Sequence, residues 1–288
     1  ETLNALSGAD AAIVVAEPDP AKAALLQPLL KRLSDLAIPH FLFINKVDKA
    51  QGQIRDLLTA LQPASAKPLV LRQVPIWKNG VVTGFVDLAL ERAFVYREHA
   101  ASEVVAIPSD MADREHEARY QMLEKLADYD DRLMEELLSD IEPPRDEIFA
   151  DLARELADGL IVPVLLGSAE RDNGVRRLLK ALRHEVPDVS RAAKRQGLEG
   201  SGEDPVVQVV KTFHAAGGKL SLARVLRGIL KDGAALANSE GGEERASGLF
   251  AMQGEKATKL PGAGAGDLVA IGRLEKAHTG DTLASPKA

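Results

Sequence analysis

The feature that most restricts the fold is a repeated pairing of an uninterrupted apolar run with a polar turn and an amphipathic stretch. Ala11-Ala12-Ile13-Val14-Val15-Ala16 is the first such run, and residues 19–36 then place Leu25, Leu26, Leu29, Leu30, Leu33 and Leu36 at helical spacing. Phe41-Leu42-Phe43-Ile44 is the second, closed by Asn45-Lys46-Val47-Asp48 and followed by a helical pattern over 53–61. The third, Leu160-Ile161-Val162-Pro163-Val164-Leu165-Leu166, ends in Gly167-Ser168-Ala169 ahead of a helical pattern over 175–184. A strand that is apolar at every position needs cover on both faces, which helices on either side of a parallel sheet supply. The expected class is α/β.

Between the second and third runs the pattern changes. Residues 69–96 read as two or three strands, with a hairpin at Lys78-Asn79-Gly80, because Asn-Gly supplies the positive φ angles of a tight turn. Met111 to Ile141 carries a helical stripe (Met122, Leu123, Leu126, Leu133, Leu137, Ile141), with Asp128-Tyr129-Asp130-Asp131 and Glu135-Glu136 read as its solvated face. Pro143-Pro144 ends it, and a further helix is expected from Arg145 to Ala157. Residues 190–203 read as a polar linker with glycines at 197, 200 and 202. Beyond it, short strands at Val206–Phe213, Leu220–Leu230, Ala234–Ala237, Ala246–Met252 and Asp267–Ile271 suggest a small β-barrel. The domain reading is 1–68 with 161–189 as one α/β body, 69–160 as an inserted α+β subdomain, and 204–288 as the barrel.

Composition narrows the chemistry. A formal charge of −7 argues against broad electrostatic capture of nucleic acid, although Arg191, Lys194 and Arg195 form a local basic knot readable as a phosphate contact or as solvated linker. The absence of cysteine excludes disulfides, thiolate chemistry and Cys-ligated zinc, and fits a reducing cytoplasm. Six histidines without metal-ligand spacing give no metal site. No apolar run approaches the 18 or so residues of a membrane span. Glu1-Thr2-Leu3-Asn4 is neither a signal peptide nor an initiator, so a chain cut from a longer one is expected.

Asn45-Lys46-Val47-Asp48 falls at the carboxyl end of a buried strand, where open α/β sheets bind ligands. A carboxylate at Asp48 can accept two hydrogen bonds, from N1–H and the exocyclic amine of guanine; adenine presents no such donor pair. Asn45 offers an amide to the opposite edge, and the alkyl stem of Lys46 can lie over the ring. An N-K-x-D string arises by chance in on the order of a few per cent of chains this long, and its bland reading is a strand-ending turn with a solvated lysine. In Gly167-Ser168-Ala169 small side chains let backbone N–H groups approach a ligand oxygen, or Ser168 simply caps a helix. The two elements in order, each after a buried strand, are far more specific than either alone.

With these elements the chain resembles the translational GTPases, specifically elongation factor G and its close paralogues. N-K-x-D and G-S-A match that family's fourth and fifth nucleotide motifs. Val74-Pro75-Ile76, Gly84-Phe85-Val86-Asp87-Leu88 and Ile107-Pro108 with Met111 look like the subdomain inserted between them. Gly217-Gly218-Lys219-Leu220-Ser221-Leu222-Ala223-Arg224-Val225 and His278-Thr279-Gly280-Asp281-Thr282-Leu283 look like its barrel, and Glu1 resembles a glutamate just past the D-x-P-G switch. The resemblance implies the C-terminal part of a P-loop GTPase-type sheet with an α+β insertion, followed by a β-barrel domain. It implies GTP or GDP as ligand, with Asp48 on the guanine donors, Asn45 on the opposite edge, Lys46 on the ring and Ser168 with Ala169 on O6. It further implies a ribosome-dependent elongation (translocation) factor in the cytoplasm, with the ribosome as partner and the insertion facing the ribosomal stalk protein. No membrane and no sequence-specific nucleic acid partner is implied.

The departures bear on activity. No G-x-x-x-x-G-K-[ST] occurs in the 288 residues: Gly218-Lys219 is followed by Leu220 and lies in the barrel. The threonine segment that binds Mg²⁺ and the D-x-P-G switch are absent too, so GTP hydrolysis and Mg²⁺ are expected of a longer parent and not of these residues. The rival readings are a release-factor or ribosome-protection relative and a non-catalytic protein-interaction module. The edge of the strand at 12–16 is expected to be disordered, covered by the chain's terminus, or paired with another molecule.

Overall fold

The computed structural model describes residues 2–50, 52–198, 202–215, 218–238 and 242–286, so the expectations placed on Glu1, on Gly200 with Ser201, and on Gly217 lie outside the described residues. Contacts divide the chain into one unit of residues 11–186 and another of residues 1–10 with 187–288.

After α1 (Thr2–Ser7), which groups with the C-terminal unit, come β1 (Ala12–Ala16), α2 (Ala23–Asp35), β2 (His40–Ile44), α3 (Ile54–Leu61), β3 (Leu69–Leu71), β4 (Gln73–Lys78), β5 (Val81–Asp87), β6 (Arg92–Val95) and β7 (Glu103–Val105). Then follow α4 (Ala112–Ala127), α5 (Asp131–Leu138), α6 (Arg145–Ala157), β8 (Val162–Leu166) and α7 (Val175–Glu185).

A parallel sheet in the order β1-β2-β8-β3 organises the first unit, with Val14 opposite Leu42, Leu42 opposite Val164, and Val164 opposite Leu71. Every residue of β2 and β8 is buried, as their continuous apolar sequences demand. Phe41, Phe43 and Leu165 pack against Leu156 of α6 and Leu178 and Ala181 of α7. Burying each such Phe or Leu contributes roughly 1.5–3 kcal/mol.

β3 lies in the stretch that the sequence reading gives to the insertion, yet it is the outer strand of the parallel sheet. The chain leaves the sheet just beyond it: Arg72 N–H donates to the Val164 carbonyl (3.0 Å), and the Gln73 side-chain oxygen accepts from Leu166 N–H (2.7 Å). β4 to β7 then form a separate antiparallel sheet. Its first hairpin turns where Asn-Gly requires it, with Asn79 at φ 52°, Gly80 at φ 76° and Lys78 opposite Val81. One face, through Val74, Val86 and Ala93, packs on Met122, Leu123 and Leu126 of α4 and Ile148 and Leu152 of α6.

The expected long helix over 111–141 is two helices. Asp130 stops the first and caps the second, its Oδ1 accepting from Arg132 and Leu133 N–H at 3.0 Å each. Such a cap satisfies donors that an uninterrupted helix would bond internally, so Asp130 acts on the backbone instead of lying on a solvated face. At the other end of the first unit β1 is ordered, not disordered. It has no second strand partner among the described residues, and Ile13 and Val15 are 39% and 56% exposed.

In the second unit, residues expected as linker form α8 (Val189–Arg195), capped by Asp188, whose side chain accepts from Ser190 N–H. The basic knot is partly structural here: Arg195 donates to the Ala9 carbonyl (2.6 Å), and burial lowers its pKa. The strands are β9 (Val206–Ala215), β10 (Gly218–Arg227), β11 (Ile229–Lys231), β12 (Ala235–Ala237), β13 (Glu243–Arg245), β14 (Leu249–Gln253), β15 (Lys256–Leu260), β16 (Gly262–Gly264), β17 (Leu268–Gly272) and β18 (Thr282–Ala284). Eight of them pair in the order β13-β12-β18-β9-β10-β17-β14-β15, β11 pairs with β16, and Val207, Val225, Leu249, Ile271 and Leu283 share one barrel-like core.

Candidate functional site

β1, β2 and β8 end side by side, and their polar extensions meet at one rim of the sheet. Asn45 N–H donates to the Ala16 carbonyl (2.8 Å), Gly167 N–H to the Ile44 carbonyl (2.9 Å), and Val47 N–H to the Gly167 carbonyl (3.1 Å). Backbone bonds thus tie all three strand tips before any side chain acts. The Asn45 side-chain oxygen then accepts from Ala169 N–H at 2.8 Å, stitching two segments 124 residues apart.

Two glycines make this closeness feasible. A Cβ on Gly167 would stand 2.3 Å from the Asn173 carbonyl oxygen and 2.5 Å from the Phe43 ring. Gly174, at φ 76°, closes the turn; a Cβ there would meet the Leu166 carbonyl oxygen at 2.2 Å. Ser168 and Asn173 exchange backbone bonds across this turn (2.9 and 3.0 Å), which buries Ser168 to 2% exposure.

Lys46 is held left-handed at φ 59°, a conformation that costs a non-glycine residue about 1 kcal/mol or more and clusters at functional loops. Its ammonium is ion-paired to Glu17, at the tip of β1, leaving the alkyl stem half exposed. Hydrogen bonds from Lys22 and then Lys46 hold the Glu17 carboxyl down at about 2.

Asp48 is nearly sealed, its side chain 7% exposed. Oδ2 has Arg171 Nε at 3.5 Å, and Oδ1 is buried with no hydrogen-bond partner among the described residues. A buried acceptor with nothing to accept is costly unless a donor arrives. Behind it the insertion closes the site: the Tyr96 hydroxyl lies 3.5 Å from the Leu166 carbonyl, and His99 N–H donates to the Arg171 carbonyl (3.1 Å). Burial, reinforced by the Asp48 charge, raises the Tyr96 pKa above its usual value, so the phenol stays neutral.

All five residues singled out in the sequence therefore converge on one rim. Glu17, Arg171, Gly174 and Tyr96 complete it and do not stand out in the sequence reading. Glu17 and Gly174 carry a signal, since each punctuates the boundary of a buried strand or a helix; Arg171 and Tyr96 carry none. Among the described residues no cluster of His, Cys, Asp or Glu could hold a metal ion, and no helix is long and apolar enough to cross a membrane.

Known proteins share both sequence and fold. The family described as "Elongation factor Tu GTP binding domain" matches residues 1–188, and "Elongation factor Tu domain 2" matches residues 218–284. An "Elongation factor G-like protein" from Synechocystis sp. is 45% identical over 286 residues, covering 99% of this chain and 42% of that protein. An "Elongation factor G" from Rhodopirellula baltica is 31% identical over 271 residues, covering 89% of this chain and 39% of that protein. A crystal structure of a protein from Thermus thermophilus superposes with a TM-score of 0.79 at 25% identity, over 98% of this chain and 41% of that one. The chain thus spans about two fifths of the length of these relatives. With the Asn45–Asp48 and Gly167–Ala169 segments on adjoining strand tips and a domain-2 barrel behind them in sequence, the chain belongs to the translational GTPases of the elongation factor G type, whose GTP-binding domain family implies a guanine nucleotide ligand.

Proposed function

We propose that the rim formed by Asn45, Lys46, Asp48, Ser168 and Ala169 reads the guanine base of GTP or GDP within a ribosome-dependent elongation factor. One observation carries the reading. Asp48 Oδ1 is a buried acceptor without a partner among the described residues, and the other carboxylate oxygen has a 3.5 Å approach from the half-exposed Arg171. Guanine brings two adjacent donors, N1–H and the exocyclic amine, that would satisfy both oxygens. The Lys46 stem, anchored through its ammonium on Glu17, covers one ring face. Ala169 N–H, held in readiness by Asn45, is shared with or passed to O6 as the base enters. Ser168 serves by its buried place in the turn.

The remaining roles rest on family membership. The parent hydrolyses GTP with Mg²⁺, works in the cytoplasm on the ribosome during elongation, and presents the helices of the insertion to the ribosomal stalk protein. Recognition of the base without phosphate contacts is weak, so the test uses millimolar nucleotide. Amide resonances of Asp48 and Ala169 are followed while GDP, ATP and xanthosine diphosphate are titrated into the chain and into Asp48→Asn. GDP is expected to shift both resonances and ATP neither. In the variant the GDP response is lost and xanthosine diphosphate gains, because an asparagine amide can donate to the xanthine C2 oxygen. Equal responses to GDP and ATP would overturn the reading.

A further inference from the structure

The other face of the insertion's sheet stacks Phe85 on Phe94, ring centroids 5.1 Å apart at 18°. These rings line a cavity of about 580 Å³ that α6 closes with Phe149 and α7 with Arg176, Arg177 and Lys180. Its volume is that of a small-molecule pocket. Apolar rings on one wall and cations on the opposite one give it two chemically distinct ends.

The cationic wall is incompletely satisfied. Arg177 is 11% exposed; its Nε donates to Asp87 Oδ2 (2.6 Å), while its Nη2 is buried without a hydrogen-bond partner. The carboxylates nearby are committed: Asp87 also accepts from Ala89 and Leu90 N–H (3.2 and 3.0 Å), and Glu185 holds Arg72 (2.8 Å). Arg176 and Lys180 add two exposed positive charges, with His184 beside them, against the exposed carboxylate of Asp172 and the Glu185 carboxylate already paired with Arg72. An orphaned guanidinium nitrogen beside an aromatic wall suits a ligand with an acceptor anion at one end and a flat apolar body at the other.

We propose that this cavity is a binding site for a small aromatic carboxylate, its ring lying along Phe85, Phe94 and Phe149 and its carboxylate accepting from Arg177 Nη2 between Arg176 and Lys180. The cavity adjoins the base-reading rim at the Asp172–Gly174 turn, but none of the five residues of that reading lines it, and its test does not depend on that reading.

The probes are 2-naphthoate, its uncharged analogue 2-naphthylmethanol, and acetate, each titrated into ¹⁵N-labelled chain. Expected are saturable shifts at the Phe85, Phe94 and Gly174 amides with naphthoate, at least ten-fold weaker binding of the alcohol, and none with acetate. Arg177→Lys keeps a cation for Asp87 but removes the orphaned donor, and should weaken naphthoate ten-fold or more. Should that variant not fold, the double variant Arg176→Ala, Lys180→Ala touches only exposed side chains and should weaken naphthoate several-fold without changing the alcohol. Equal binding of naphthoate and the alcohol, shifts confined to other surfaces, or no saturation by 5 mM would overturn the proposal.

Discussion

Glu155 gives the most quantitative handle on this molecule. It is fully buried in α6, and neither carboxylate oxygen has a hydrogen-bond partner. Arg154 Nη2 stands 3.6 Å away, outside bonding range, because that guanidinium is held by Asp130 and Asp151 at 2.7 Å each. Burial, with Asp151, Asp130 and Asp128 adding like charge, pushes the carboxyl from its usual 4.5 up to about 8. The folded state therefore binds a proton that the unfolded state releases between those values. A raised carboxyl pKa makes stability greatest in acid and erodes it as pH climbs, by about 1.4 kcal/mol per unit within that window. Integrated from pH 5 to pH 7.5, the loss attributable to this one group is about 3 kcal/mol. Glu155→Gln abolishes the titration, and whatever the buried amide costs is the same at both pH values. Trp77, the sole tryptophan, sits on β4 of the same unit and reports its unfolding by urea. The difference in unfolding free energy, variant minus wild type, should grow by about 3 kcal/mol from pH 5 to pH 7.5. His40, buried with its Nε2 unpartnered and its pKa lowered by burial, destabilises both proteins equally as pH falls below 6.5, so it cancels. Parallel pH profiles for the two proteins would show that Glu155 is ionised in the folded state and would refute the reasoning.

Gly174→Ala places a Cβ 2.2 Å from the Leu166 carbonyl at a positive φ; a loss of about 1–3 kcal/mol is expected by urea unfolding, with the Ala169 amide resonance displaced. An unchanged midpoint would show that the turn relaxes freely. Asp130→Ala should cost about 1–2 kcal/mol through the lost cap, whereas Asp131→Ala, exposed one residue later, should stay within about 0.5 kcal/mol. Equal effects from the pair would dismiss the cap. Val15→Lys puts a charge on the exposed face of the sheet's edge strand β1 and should lower concentration-dependent light scattering; no change would show that this edge is not adhesive.

What can be read from the residues, and what cannot, divides along the range of the interactions involved. β2 and β8 are legible because a strand buried on both faces writes its environment into every position. The Asn79-Gly80 turn is legible because its conformation is set by the two residues that adopt it. β3 is misassigned from sequence because three apolar residues cannot say which sheet they will join; that is decided by bonds to Val162 and Val164, about ninety positions away. Asp130 looks like one more acid on a polar helix face, since capping and solvation favour the same residue type. β15 is missed because Lys256–Leu260 lies exposed at the sheet's end, where no alternation is imposed. At the rim the motif residues are recognisable, but the partners that fix them, Glu17 for Lys46 and Ala169 for Asn45, become visible only in three dimensions.

The same distinction bears on the insertion. Residues 69–160 read as an inserted α+β subdomain, and buried polar contacts bind them to the sheet and to α7. Gln73 accepts from the last residue of β8, Arg72 pairs with Glu185 at 0% and 3% exposure, Asp87 pairs with Arg177, and His99 holds the Arg171 carbonyl in the turn after β8. Buried ion pairs of this kind add little net stability, because desolvation offsets most of their attraction. Their consequence is geometric: each guanidinium meets its carboxylate in one register and loses it in any other. A graft that merely hung from the sheet would not need such contacts. The insertion is better understood as a wall of the turn between Gly167 and Gly174, joined to it through Tyr96 and His99 as well as to β8 and α7.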